Sequence, residues 1–249
     1  MKLRAFLTAL MISGASMASA QTISLPGTLG GLVASGSTGV TIGDKTFYDF
    51  TVSGNVDASS INVVQAPGSD LGLEFQYNWS SSNGNNLDTL IRYKVHVNTA
   101  TVQQKISSVG LNFDGNGTGA NVGTNGSVTE TISDLTGNQL GQISVFNAGT
   151  AGGTVNRNSA TFTLTTPTRD LWLTKDISVH SLVTVQTFAE GLTKLAAIAP
   201  DTGTISFVDN TFHQTTGASS VPLPPAALMA LATLGMGALT PIRRRIFGR

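Results

Sequence analysis

Through the middle of the chain, apolar residues recur at every second position rather than every third or fourth. In 71–79, Leu71, Leu73, Phe75, Tyr77 and Trp79 fall on one face and Gly72, Glu74, Gln76 and Asn78 on the other. Period two marks a strand with one face in a core. Similar patterning runs through 46–52, 90–97, 109–113, 127–133, 142–146, 161–165, 171–179, 181–188 and 204–208. Between these segments stand clusters of Gly, Asn, Asp, Ser and Thr at 82–86, 114–119, 125–126, 136–138 and 148–153. Such residues supply positive φ and local side-chain hydrogen bonds, and they predict turns. Residues 21–42, rich in Gly, Ser and Thr, predict an N-terminal strand and a loop. Residues 192–199 fit a helix or a strand. About ten short strands at roughly 8–12-residue spacing predict an all-β fold, a single antiparallel β-sandwich of jelly-roll or Greek-key type.

Both ends break this pattern. Lys2 and Arg4 precede an apolar run, 5–12, which is followed by Ala18-Ser19-Ala20. A basic start, a short apolar core and small residues at Ala18 and Ala20 predict a secretory signal peptide over 1–20, cleaved before Gln21. The apolar run is about half of the ~20 residues a membrane span needs, which disfavours an uncleaved anchor. At the other end, Pro222, Pro224 and Pro225 forbid a regular helix and predict an extended linker. An Ala-, Leu- and Gly-rich stretch over 226–242 follows, just long enough for a transmembrane helix. Arg243, Arg244 and Arg245 close it as a cytoplasmic stop. The organisation is thus a signal peptide (1–20), an exported domain (21–220) and a C-terminal signal (221–249).

The formal charge of the whole chain is balanced, 14 basic residues against 14 acidic. All 14 acids but only eight of the 14 bases lie between the two terminal signals, so the exported domain is acidic and a basic nucleic-acid surface is excluded. With no cysteine, catalytic thiols, Cys-ligated zinc and iron–sulfur chemistry are excluded, and so are disulfides as a source of stability.

The tail resembles the PEP-CTERM class of sorting signals in its Val-Pro-Leu-Pro-Ala variant. The motif stands as Val221-Pro222-Leu223-Pro224, with Pro225 where the variant has Ala, followed by the apolar span and the arginines. Segments 42–50, 171–177 and 205–214 are also similar to segments of PEP-CTERM proteins with a β-rich domain. The resemblance implies a Gram-negative host that makes exopolysaccharide, and recognition of the tail by exosortase, a membrane-embedded cysteine transpeptidase-like enzyme. It also implies export through Sec, an inner-membrane precursor with its domain in the periplasm, and delivery to the cell surface or matrix. An ordinary single-pass tail anchor is the alternative.

Candidate chemistry inside the domain is sparse. Asp114-Gly115-Asn116-Gly117-Thr118-Gly119 alternates oxygen side chains with glycines as a calcium loop does, but an EF-hand count from Asp114 puts Asn125 where a bidentate acid is required. His96, His180 and His213 show no metal-ligand spacing. Glu74, Asp88, Glu130, Asp170 and Asp176 could supply paired carboxylates for glycoside hydrolysis, without a spacing that selects two. Trp79 closes an apolar stripe and belongs in the core. Trp172 falls between Leu171 and Leu173, so it faces the other side of its strand and is the better platform for a sugar ring, although large aromatics mostly pack inward and core burial in a sandwich is the favoured reading for it too. No cofactor and no catalytic residue is expected. The expectation is a non-enzymatic structural or adhesive protein of exopolysaccharide or biofilm. A carbohydrate-binding module around Trp172 and a secreted hydrolase are the alternatives.

Overall fold

The computed structural model describes residues 24–36, 38–82, 84–98, 104–118, 125–150, 153–181 and 202–216. The expected signal peptide, the C-terminal sorting signal, segment 192–199 and all but the first residue of 181–188 lie outside them. Among the described residues no helix is long and apolar enough to cross a membrane.

The strands are β1 (Gly27–Thr28), β2 (Val40–Ile42), β3 (Lys45–Gly54), β4 (Asn62–Gln65), β5 (Gly72–Ser82), β6 (Asn86–Val97), β7 (Gln104–Thr118), β8 (Asn125–Ser133), β9 (Gln139–Thr150), β10 (Gly153–Arg157), β11 (Ser159–Thr168), β12 (Asp170–His180) and β13 (Thr202–Thr216). An α-helix, α1 (Leu29–Ser35), follows β1, and a 3-10 turn spans Ala58–Ser60. The strands form two antiparallel sheets: six in the order β1-β4-β5-β13-β7-β11, and seven in the order β10-β9-β8-β12-β6-β3-β2. Side chains from both sheets meet in one core, which includes Leu73, Phe75, Trp79, Val109, Leu111 and Val208 from the first and Tyr93, Val95, Val128, Leu173 and Ile177 from the second. The all-β, two-sheet architecture follows from the period-two pattern.

Three local expectations are corrected. Residues 21–42 hold a helix, not only a strand and a loop. Thr28 caps it by accepting from the Gly31 amide at 3.2 Å, Leu29 and Leu32 are buried one turn apart, and Gly36 at φ 57° ends it. Residues 114–118 form no turn, because β7 runs on to Thr118 and pairs with β13, Gly115 opposite Ile205 and Gly117 opposite Gly203; Gly119 lies outside the described residues. Asn125 and Gly126 likewise open β8. Gly126 serves close packing: a Cβ there would stand 3.0 Å from Ile205 Cγ1. The turn at 136–138 does form. The Asp134 carboxylate accepts from the Thr136 hydroxyl at 2.6 Å and the Asn138 side-chain amide at 2.9 Å, and with the backbone amides of Asn138 and Thr136 this lowers its pKa to about 2.

The centre of the sandwich holds a polar network. Lys175 of β12 and Glu130 of β8 are register partners and both are fully buried. Lys175 Nζ donates to Glu130 Oε2 at 2.5 Å and to Oδ1 of Asn210, on β13 of the facing sheet, at 2.6 Å. Asn210 Nδ2 donates to Glu130 Oε1 at 2.8 Å and to the Gly110 carbonyl at 3.0 Å, and Tyr93 Oη donates to Asn210 Oδ1 at 2.6 Å. The Tyr93 ring is packed by Phe47, Phe50 and Phe75 at centroid distances of 6.2, 5.4 and 5.8 Å. Burial without pairing would cost several kcal/mol per charged group, so mutual hydrogen bonding is the condition for these residues to be inside.

Candidate functional site

On β12 the odd positions 171–179 face the core, which leaves Asp170, Trp172, Thr174, Asp176, Ser178 and His180 on the outer face of the seven-stranded sheet. On β6 the outer set is Asp88, Leu90, Arg92, Lys94 and His96. Register assembles these into rows. Trp172 is opposite Lys94, Lys94 is opposite Tyr48 of β3, and Ser133 of β8 completes the row on the other side of Trp172. The adjacent rows are Asp170, His96 and Thr46 on one side, and Thr131, Thr174, Arg92 and Thr51 on the other.

Lys94 organises the central row. Its Nζ lies 5.9 Å from the centre of the Tyr48 ring and 5.8 Å from that of Trp172, and donates to Asp49 Oδ2 at 2.9 Å. That hydrogen bond raises the Lys94 pKa above the ordinary lysine value. Asp49 reaches the outer face through a bulge. The β3–β6 register shifts between Tyr48 and Thr51, and Asp49 takes φ 54°. Phe47 faces inward, so strict alternation would send Asp49 inward too. The extra residue restores Phe50 to the core. A left-handed conformation at a non-glycine residue costs on the order of 1 kcal/mol, and Asp tolerates it better than most. Next to this row, His96 Nδ1 and Asp170 Oδ1 are 2.7 Å apart. Burial and the Asp170 charge raise the Tyr48 pKa.

The remaining sequence candidates are dispersed. Trp79 is fully buried, edge-on to Tyr77 at 5.3 Å. Trp172 is half-buried on the outer face, where alternation placed it. His180 pairs with Asn86 at the opposite end of β12 from His96, and His213 lies 3.1 Å from Asp70 on the six-stranded sheet, so the three histidines do not converge. Among the described residues no group of His, Asp and Glu could hold a metal ion. Of the five carboxylates, Glu130 is bound to Lys175 inside the core, and Glu74 stands opposite Asp209 on the six-stranded sheet. Asp88 and Asp176 meet on the outer face, where burial first and Asp88 second raise the Asp176 pKa.

Sequence reasoning missed Lys175, Asn210 and Tyr93, and took Glu130 only as one acid among five. The signal was present. Lys175 shares the parity of Leu171, Leu173, Ile177 and Val179, and Glu130 that of Val128 and Ile132, so each charge interrupts an inward apolar stripe.

No family model matches the chain, and no curated protein matches it. Solved structures are weakly similar, three of them as follows. The carbohydrate-binding module TmCBM61, solved with β-1,4-galactotriose, shows 14% identity and a TM-score of 0.30 over 66% of this chain and 88% of its own. The enzymatically active domain of tailspike protein 4 of bacteriophage CBA120 shows 9% identity and 0.25 over 70% of this chain and 20% of its own. Infectious bursal disease virus, Gx strain, shows 12% identity and 0.20 over 73% and 55%.

Proposed function

We propose that this chain is an exported, non-enzymatic surface protein that contacts polysaccharide through the outer face of its seven-stranded sheet. The observation that carries the reading is the row Tyr48–Lys94–Trp172. It sets a large aromatic ring, held by a cation, among hydroxyls and carboxylates on a strand-built surface. A sugar ring needs this combination: an apolar face for its C–H groups and hydrogen-bonding groups for its rim. Strands fix the side chains more rigidly than loops would, which lowers the entropy lost on binding. The chain's repeated passage from one sheet to the other from β5 onward supports the jelly-roll or Greek-key reading.

Delivery is part of the proposal. The Val221-Pro222-Leu223-Pro224 motif, the span after it and Arg243, Arg244 and Arg245 support sorting by exosortase from a membrane-anchored precursor.

Affinity electrophoresis through host exopolysaccharide tests the contact. The wild-type domain is expected to be retarded, and Trp172→Ala to lose about tenfold or more in affinity with an unchanged circular dichroism spectrum. Equal retardation of the two proteins would overturn the role of Trp172. Intact mass from the native host tests the sorting: loss of 1–20 together with a cut near 221–225 supports it, and retention of 226–249 in the membrane fraction refutes it.

A further inference from the structure

We propose that Lys175 and Asn210 become joined by an intramolecular isopeptide bond, from Lys175 Nζ to Asn210 Cγ, with Glu130 as the general acid–base. The bond would tie β12 of one sheet to β13 of the other. It goes beyond the glycan reading and does not depend on it.

The geometry supplies every part the reaction needs. The nucleophile is in place: Nζ is 2.6 Å from Asn210 Oδ1. With a C=O bond of about 1.2 Å, Cγ lies within about 3.8 Å of Nζ, close to a near-attack separation. One carboxyl group touches both nitrogens, Glu130 Oε2 at 2.5 Å from the attacking Nζ and Oε1 at 2.8 Å from the departing Nδ2. Tyr93 Oη donates to Oδ1 at 2.6 Å, where negative charge develops as the carbonyl is attacked. The Gly110 carbonyl accepts from Nδ2 at 3.0 Å and fixes the plane of the amide. All four side chains are fully buried, so water does not compete for the carbonyl. Burial lowers the Lys175 pKa and raises that of Glu130, which favours a neutral amine beside a neutral acid over the ion pair. A desolvated, neutral lysine is the nucleophilic form.

The step balances without a co-reactant. The lone pair of Nζ forms the new bond to Cγ, and the carbonyl π electrons move to Oδ1 under the Tyr93 hydroxyl. Glu130 gives its proton to Nδ2 and takes one from Nζ through its other oxygen. The carbonyl re-forms, the Cγ–Nδ2 bond breaks with its electrons going to nitrogen, and ammonia leaves. A primary amide and an amine become a secondary amide and ammonia, and Glu130 ends protonated as it began. No oxidation state changes, so a chain without cysteine gains a covalent link that is independent of redox conditions.

The test is mass spectrometry of the purified, folded full chain, with a tryptic peptide map. The expected result is a mass one ammonia below that of the processed sequence, with trypsin unable to cut after Lys175. A branched peptide carrying both Lys175 and Asn210 is also expected. The map is decisive, because cyclisation of an N-terminal Gln21 also releases ammonia without branching. Linear peptides with a free Lys175 amine and an intact Asn210 amide would overturn the proposal. Glu130→Gln keeps the shape of the acid and removes its proton transfer. It is expected to give only linear peptides while retaining the wild-type circular dichroism spectrum. Branched peptide from this variant would overturn the assigned role of Glu130.

Discussion

Lys175 and Lys94 stand on neighbouring strands of one sheet, each beside a carboxylate, and face opposite ways. Lys94 looks outward, and its hydrogen bond to Asp49 holds its charge more firmly than water alone does. Lys175 looks inward, and loss of water pushes it the other way although its carboxylate is closer, at 2.5 Å. The difference shows that a partner's effect depends on what else surrounds the pair. On the outside solvent still carries part of the charge, and the carboxylate adds to it. On the inside the solvent is replaced by Asn210, Tyr93 and the Gly110 carbonyl, which complete the network around the pair.

The largest test of that contrast is paired truncation. Lys175→Ala leaves Glu130 and Asn210 buried without their hydrogen-bonding partner, which is expected to cost about 1–3 kcal/mol for each group left unsatisfied. If the isopeptide bond is present, the unfolded chain also loses a tether between two residues 35 positions apart. By the chain-entropy relation this is worth about 4 kcal/mol more. Lys94→Ala is expected to cost at most about 1 kcal/mol. Urea unfolding of the two variants reads the difference directly, and equal losses would show that the inner pair is not structural.

The tryptophans give the next largest effect and invert between readouts. Trp79→Ala opens a cavity in the core and is expected to cost about 3–5 kcal/mol in thermal unfolding. Trp172→Ala is expected to leave the melting temperature nearly unchanged and to act on polysaccharide retardation instead. A Trp172→Ala protein that melts as early as Trp79→Ala would remove Trp172 from the list of surface residues.

The pH effects are smaller. The folded-state pKa of Lys94 is raised, so its pairing contributes stability fully below its unfolded value near 10.5 and loses it as pH rises through the folded value. Lys94→Met should therefore flatten the alkaline limb of the unfolding curve slightly. Asp134 is the mirror case. Its folded pKa is lowered to about 2, so its contribution is present above 3.8 and fades as pH falls through about 2. NMR titration of the Asp134 carboxyl is expected to find a midpoint near 2, and an ordinary midpoint would mean that the turn at 136–138 is open in solution.

Much of this was written in the order of residues, and part of it could not be. Alternation alone puts Trp172 outside and Leu171 and Leu173 inside, because the faces of a strand are a local property. The helix after Thr28 was obscured by Gly30 and Gly31, poor helix formers that mask the turn-spaced Leu29 and Leu32. The glycines of 115–117 look like a turn until β13 is beside them, since a strand can be completed by a partner about ninety residues away. Lys175 was visible as a flaw in an apolar stripe, but its meaning was not. Asn210 meets it only when the two sheets close, and no spacing along the chain predicts that meeting.

The position of β13 has a mechanical consequence. It lies inside the six-stranded sheet between β5 and β7, and it is the described strand that leads toward the C-terminal tail. In a chain held at its C-terminal end, tension enters the domain through β13. The hydrogen bonds on both its flanks then resist in shear, along the strand, so many must give together. A covalent link at Asn210 would divert that pull into the opposite sheet before the strand could slide. The segment of β13 beyond Asn210 would then be the only part free to stretch.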